Sequence, residues 1–595
     1  MQSQAYKRDF GSDGRLVTLS AIAAGIGAVS TVAAFVLLHL IHLCTNLFFF
    51  QTFSFADRTP AEHHLGIWVI AVPVIGGLLV GLIAKFGTEK IRGHGIPEAI
   101  EAILFGKSKM SAKVALLKPL SSGIVIGSGG PFGAEGPIIM TGGAIGSLIA
   151  QHFSLTAAER KTLLVAGATA GMTAVFGTPV AAVLLAVELL LFEWRPRSLL
   201  PVIFACAVAG FTRPLLLEAG PLFPLHTQPV NLTAFGICLF AGLLCGALSS
   251  GMSVALYKVE DLFGKLPVHW MWWPALGALA VGIGGYLAPR SLGVGYDVIS
   301  DLLNHRIIAS AAFSLLVVKA VIWVIALGSG TSGGVLAPLL MLGAGLGTAL
   351  SAVFPGSDPS LWPLVCMAAV LAGVLGTPLT AAIFALGLTG DFNALLPLLL
   401  ATGVSHAFTV LLMKRSIMTE KIARRGRHIY REYSVDPMER VHAADIMTTG
   451  VTAVPTDTTL GEVAAHYFEE HQQFRSYPLI TAEGAFHNFV DRAIVRELLD
   501  THPKDARIGD LVGTLALVAL PQHTCRTVAT YLAAHGIERI AVVHDDQHRR
   551  LAGLISRSDL IKTSLHFYEE EHQRERLIKW LKGARRQRSD AAARS

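Results

Sequence analysis

Charge is what this chain has least of. Asp, Glu, Lys and Arg make up 15% of its 595 residues, against about 25% in an ordinary soluble chain. The deficit is local: residues 16–413 are strongly apolar, and charge returns after Lys414. With 52% hydrophobic residues and a mean hydropathy of +0.55, this excludes a purely soluble protein. It predicts an all-α polytopic membrane protein followed by a soluble region. Cysteine is also scarce. Cys44, Cys206, Cys238, Cys245, Cys366 and Cys525 are scattered, mostly in apolar segments, and no CxxC or metal spacing occurs. Buried free thiols are the default reading. Neither a nucleophile–base pair nor a metal-ligand cluster is visible, so no enzyme is predicted and no cofactor is required. The acidic residues of the apolar segments are dispersed, which argues against a divalent-metal carrier needing clustered Asp and Glu ligands.

What charge there is marks topology. Lys7, Arg8 and Arg15 precede the first apolar run; Lys414, Arg415, Lys421, Arg424, Arg425 and Arg427 follow the last. The positive-inside rule puts both termini in the cytoplasm. The net charge of +6 is therefore read as membrane orientation, with no nucleic-acid partner. The run from Leu16 to about Phe50 is too long for a cleaved signal peptide and reads as a first span. Compactness suggests a bacterial inner membrane.

Many apolar segments are interrupted by Gly and Pro: VPVIGGLLVGLIAKF at 72–86, GSGGPFGAEGP at 127–137, VFGTPVAAVLLAVE from 175, GSGTSGGVLAP at 328–338, and VLGTPLTAAIFALG from 374. Non-helical backbone at membrane depth is tolerated where it is buried in protein or lines a cavity. The halves match at an offset of about 200 residues. Pro73, Gly77 and Gly81 resemble Pro274, Ala278 and Gly282, GHGIPEAIEAIL at 93 pairs with GVGYDVISDLL at 293, and Lys118 pairs with Lys319. GSGGPFGAEGP pairs with GSGTSGGVLAP, and the two GTP segments pair with each other. Interrupted segments at corresponding positions of two halves point to a transporter's substrate site at the repeat interface. The sequence leaves open whether the repeats are inverted or parallel. Inside GSGGPFGAEGP stands one carboxylate, Glu135, with no basic residue beside it. A carboxylate at membrane depth is costly and marks a functional site. Pro137 reads as a helix start with Glu135 just ahead of it; the bland alternative is a surface loop whose glutamate caps a helix.

GHGIP at 93–97, GAEGP at 133–137 and GVLAP at 334–338, in that order inside a two-fold repeat, resemble the anion-site motifs of the CLC chloride channel and transporter family. The resemblance runs from about residue 15 to 565 and includes a following tandem CBS pair. It implies the CLC fold: about eighteen helices of uneven length in two inverted halves, assembled as a homodimer with one pore per subunit. It implies that chloride or a related small anion is bound by Gly93, His94, Gly95, Ile96 and Pro97, by Gly133 and Gly136, by Gly334, Val335 and Leu336, and by Met418 of the last helix. Helix N-termini supply backbone N–H groups and partial charge there, which permit release where a fixed lysine would hold too tightly. Glu135 is then the gate, occupying the anion's place when ionised and swinging away when protonated. Glu193, two residues before Arg195-Pro196, takes the position of the family's internal proton relay. Glu188 competes for that role, and Glu193 paired to Arg195 or Arg197 at a helix end is the structural alternative. Proton-coupled anion exchange is the expected function, and a passive channel of the same fold is its rival.

Three positions depart from the family's chloride site: Leu336 stands where phenylalanine is frequent, and two side-chain donors are changed. His94 stands where serine is usual, and Met418 where a tyrosine donates a hydrogen bond; a thioether is a weak acceptor and no donor. The preferred anion is thereby placed in doubt. The expected domains are a membrane region over 1–430, α/β CBS-like repeats over 440–500 and 506–565, and a charged tail over 566–595. Ser556 and Asp559 in the second repeat fit an adenine nucleotide's ribose, but in the first repeat Ile494 replaces the aspartate. Structural dimerisation without nucleotide is an equal reading.

Overall fold

A computed structural model describes residues 14–230, 232–354, 358–413, 415–426, 429, 436–469, 474–515 and 517–563. Lys7, Arg8, Lys414, Arg427 and the tail at 566–595 lie outside the described residues. The chain divides into one compact unit within residues 9–433 and another within 434–595.

The first unit is helical throughout. Eight helices form its first half: α1 (Arg15–Phe50), α2 (Ala71–Phe86), α3 (Ile96–Leu104), α4 (Ala112–Gly127), α5 (Glu135–Gln151), α6 (Ala157–Phe176), α7 (Pro179–Leu185) and α8 (Pro196–Leu216). Eight more repeat the series: α9 (Thr233–Gly264), α10 (Trp273–Leu287), α11 (Tyr296–Leu303), α12 (Ala309–Gly328), α13 (Leu336–Ser351), α14 (Leu361–Leu375), α15 (Pro378–Thr389) and α16 (Leu395–Leu412). A last helix, α17 (Ile417–Arg424), follows. Among the described residues, six helical segments are long and apolar enough to cross a bilayer. The Gly/Pro-interrupted segments give shorter helices such as Leu336–Ser351 and Pro378–Thr389. Glycine and proline set where these stop and start. Gly177 and Gly376 end α6 and α14 in the left-handed conformation, and Pro179 and Pro378 open the next helix.

The repeat seen in sequence is a packing symmetry. A Cβ on Gly81 of α2 would lie 2.1 Å from the carbonyl oxygen of Met271, and one on Gly282 of α10 would lie 2.4 Å from that of Ile70. Gly76 packs on the Ser128 hydroxyl, and Gly277 on that of Ser329. Each contact is therefore made twice, once by each half. The buried lysines repeat the pattern. The Lys118 ammonium donates to the carbonyls of Ile91 and Gly93 at 2.8 and 2.7 Å and to the Ser332 hydroxyl at 2.9 Å. The Lys319 ammonium donates to the carbonyls of Ser291 and Gly293 at 2.9 and 2.8 Å. Each lysine pins the loop that leads into a short helix, α3 or α11.

The second unit has two sheets. β1 (Val454–Pro455) runs parallel to β2 (Ser476–Ile480), which pairs antiparallel with β3 (Phe486–Asp491). β4 (Arg539–Val543) pairs antiparallel with β5 (Leu551–Ser556), and Ala519 bridges to Val542 in parallel, as Val454 does to Leu479. Strand residues such as Leu479, Val490, Ile540 and Ile555 are fully buried. Helices Arg492–Thr501 and Cys525–His535 complete the α/β repeats. All six cysteines are buried free thiols.

Candidate functional site

Three helix starts meet inside the first unit. The N–H of Gly93, ahead of α3, donates to the Thr331 carbonyl at 3.2 Å, and Gly93 and Ser332 form a bridge. The loops ahead of α5 and α13 join in an antiparallel bridge: the Gly133 N–H donates to Gly334 at 3.2 Å and the Gly334 N–H to Gly133 at 2.9 Å. Equivalent residues of the two halves thus pair with opposed chain direction, as a local two-fold axis requires. Approach is close enough to need glycine. A Cβ on Gly136 would lie 2.0 Å from the His94 carbonyl oxygen. Gly95 has φ of 90°, which glycine adopts without strain.

Glu135 lies at this junction, fully buried. α5 begins at Glu135, two residues earlier than its sequence suggests, and Pro137 is its third residue. Proline fits there because the N–H groups of a first helical turn have no partner within the helix. The Glu135 Oε1 accepts the Ala337 N–H at 3.0 Å, so the carboxylate reaches across and caps the first turn of α13. Its Oε2 has no hydrogen-bond partner. The positive end of α13 thus holds a negative group from the opposite half. Leu336, which corresponds to Glu135 in the repeat, begins α13 and is buried, as are Val335 and Gly334. Ala337, the donor, was not among the residues singled out from the sequence. A backbone N–H carries no side-chain signature, although the alignment of GAEGP with GVLAP pointed within one residue of it.

His94 is buried beside these loops, and its Nδ1 has no partner. Ile96 and Pro97 open α3, and the Gly95 N–H donates to Glu98 Oε2 at 3.1 Å. The other oxygen of Glu98 accepts from the Lys421 ammonium of α17 at 2.6 Å, and Arg425 bonds Glu101. These ions line a charged cavity of about 690 Å³ with Arg92, Arg424 and Met140. Met418 is fully buried in the first turn of α17. Beside it in the chain, the Ile417 carbonyl accepts the Tyr257 phenol at 2.7 Å. Replacing His94 by Ser is expected to change selectivity among chloride, nitrate and bromide in reconstituted vesicles. Unchanged selectivity would remove His94 from the anion's contacts.

The two carboxylates considered for proton relay differ in their surroundings. Glu188 accepts from the Thr380 N–H and hydroxyl at 2.8 and 2.6 Å and from the Leu379 N–H at 3.4 Å, capping α15. Glu188 lies within a π-helical turn over Ala186–Leu191, which ends two residues before Glu193. Glu193 accepts the Ser198 hydroxyl at 2.6 Å and lies 3.8 Å from the Lys161 ammonium. Its side chain is 25% exposed. Lys161 is thus a cationic neighbour of Glu193 from a separate helix, which sequence proximity did not suggest.

In the second unit, Ser556 and Asp559 engage each other. The Ser556 N–H and hydroxyl donate to Asp559 Oδ2 at 2.9 and 2.7 Å, and Lys562 donates to Oδ1 at 2.7 Å. Burial raises the Asp559 carboxyl's pKa, but the Lys562 and Ser556 bonds outweigh it and leave the group below the usual carboxylate value. In the first repeat the capping bond runs the other way: Asp491, at the position of Ser556, accepts the Ile494 N–H at 2.9 Å.

Comparison with known proteins matches this geometry to a family. The family profile described as voltage gated chloride channel matches residues 76–410, and CBS domain profiles match 443–500 and 509–566. The chain is 29% identical over 414 residues to a voltage-gated ClC-type chloride channel ClcB of Salmonella typhimurium, covering 68% of this chain and 98% of the relative. It is 27% identical over 365 residues to an H(+)/Cl(-) exchange transporter ClcA of Salmonella paratyphi A, covering 57% of this chain and 75% of the relative. Its fold resembles that of a slow cyanobacterial Cl-/H+ antiporter, with TM-score 0.59, 23% identity, and coverage of 69% of this chain and 96% of that one. A eukaryotic CLC transporter matches with TM-score 0.59 and 19% identity over 92% of this chain and 98% of that one. The chain belongs to the voltage gated chloride channel (CLC) family and carries a tandem pair of CBS domains.

Proposed function

We propose that this chain exchanges protons for a chloride-like anion, with Glu135 as the gate and Glu193 as the inner proton relay. The observation that supports this most is the bond from the Ala337 N–H to Glu135. A helix N-terminus that an anion would occupy is held by a carboxylate whose charge depends on a proton. Ionised, Glu135 competes with the anion for the start of α13. Protonated, it loses most of that attraction, because the favourable term is between negative charge and the helix's positive end. Proton uptake and anion entry then become linked at one residue. Backbone donors from α3, α5 and α13, with His94, Gly133, Gly136, Val335 and Leu336 around them, supply the anion's contacts; Met418 supplies packing.

Glu193 supports exchange over passive conduction. It is partly exposed and lies on a different segment from Glu135, so a proton need not follow the anion throughout. Glu188 is the weaker candidate because both its oxygens are committed to the start of α15. Replacing Glu193 by Ala is expected to retain anion flux in proteoliposomes and to lose proton flux, read with a pH-sensitive dye. Retained proton flux would remove Glu193 from the relay. A passive channel is the second reading, favoured by the ClcB relatives' description.

We further propose a homodimer in a bacterial inner membrane with both termini cytoplasmic. This reading is supported by the family's bacterial relatives and by the cationic residues Arg15, Arg415, Lys421, Arg424 and Arg425. An adenine nucleotide at the CBS pair is a reading supported by Ser556 and Asp559. A ribose would have to share the carboxylate with Lys562.

A further inference from the structure

One buried hydroxyl beside the gate has no role in the reading so far. Tyr296 begins α11 and occupies the place in the second half that Ile96 occupies in the first. Its ring packs edge-on against Phe176 and Phe223, with centroids 6.4 and 6.0 Å away. Phe176 is held in turn by Phe384 at 4.9 Å. This aromatic packing fixes the ring, yet the phenol oxygen is buried without a hydrogen-bond partner. Buried hydroxyls almost always have one, and an exception calls for a reason. Its helix α11 packs against α13, whose first turn holds the Glu135 carboxylate. The Glu135 Oε2 is itself buried and unpartnered. A donor on α11 and an acceptor at the start of α13, two helices in contact, are thus both unsatisfied while Oε1 is on α13.

We propose that Tyr296 is the second dock of the gate: when the Glu135 carboxyl leaves the Ala337 N–H, the Tyr296 phenol donates a hydrogen bond to it. Tyr296 is then a positioning residue that acts through Glu135 and sets how readily the start of α13 is vacated. It also supplies a tyrosine hydroxyl to a site whose last helix offers Met418 instead. The inference rests on Glu135 being the gate.

Other titratable groups around Tyr296 are engaged elsewhere or face solvent. Lys319 of α12 donates to the Ser291 and Gly293 carbonyls. Asp297, next in the chain, is exposed, as are Glu218 and His226 on the loop that carries Phe223. The ionisable residues of α6, Glu159, Arg160 and Lys161, lie at its start, whereas Phe176 ends it. α13 contains no ionisable residue.

The test is Tyr296→Phe in the full-length protein, which keeps the ring and removes the hydroxyl. Anion flux into proteoliposomes is measured across pH, alone and combined with Glu135→Gln. Losing the second dock favours the ionised, docked gate, so more acid is needed to vacate it. Flux at neutral pH is expected to fall several-fold, with about tenfold as the scale of one hydrogen bond. The pH of half-maximal flux is expected to move to lower values, and the anion-to-proton ratio to stay the same. In the Glu135→Gln background, Tyr296→Phe is expected to change neither rate nor pH profile. Unchanged rate and midpoint for Tyr296→Phe alone would overturn the proposal. An undiminished effect in the Glu135→Gln background would do so too, since the hydroxyl would then act on something other than the gate. Glu135→Gln alone tests the gate reading separately: if its flux keeps the parent's pH dependence, that reading fails and this one falls with it.

Discussion

Replacing Glu135 by Gln is expected to abolish proton movement and leave anion flux running at a rate that no longer depends on pH. The carboxylate sits on the Ala337 N–H at the start of α13, with no cation among its hydrogen-bond partners within the described residues. Its hold there rests on partial charge at a helix end, which attracts an anion and has little pull on a neutral amide. Glutamine has the size of the protonated acid and cannot ionise. The site is then permanently in its vacated condition, and no proton is bound or released per anion. In the parent protein, acid favours the protonated gate, so flux rises as pH falls; in the variant the profile is flat. Proteoliposomes with an anion electrode and a pH dye read both fluxes together. A variant that still moves protons uphill would show that the coupling proton is carried elsewhere.

The second large effect is on folding. Lys118→Met is expected to destabilise the membrane unit by roughly 3 kcal/mol or more. It removes three charge-assisted hydrogen bonds and strands buried acceptors that cost about 1–3 kcal/mol each. Methionine nearly matches the volume of lysine, so packing loss is a small part of this. The stranded acceptors are the Ile91 and Gly93 carbonyls; the Ser332 hydroxyl, from the other half of the molecule, loses the lysine but keeps Ser121 and Ser122 as partners. Lys319→Met strands two carbonyls, Ser291 and Gly293, and is expected to cost less. Thermal unfolding in detergent, followed for both variants, should give that order. Equal losses, or a larger one at Lys319, would mean that the Ser332 bond between halves contributes nothing.

Much of this architecture was legible from spacing. The offset of about 200 residues predicted which segments correspond, and the packing follows it contact by contact, from Gly81 and Gly282 to Lys118 and Lys319. The α/β character of the C-terminal unit followed from short β-rich runs alternating with helical patterns. Other features carry no local signal. The local two-fold that relates the repeats is displayed where Gly133 and Gly334 pair antiparallel. Ala337 acts through its backbone, and Lys161 reaches Glu193 from about 30 residues away. Pro137 suggested a helix start two residues late, because proline is tolerated throughout a first turn and does not fix its beginning. Tyr296 was visible only as half of a loose match, GVGYD against GHGIP. Its significance rests on burial and on a missing partner, neither of which a sequence displays.

The most direct test of coupled exchange is to load proteoliposomes of the full-length protein with chloride, impose an outward chloride gradient, and follow internal and external pH. The account predicts that chloride efflux drives protons inward against a pH gradient, and that Glu135→Gln ends this. Chloride efflux at a comparable rate with no proton movement would contradict it and leave a passive anion pathway through the same fold.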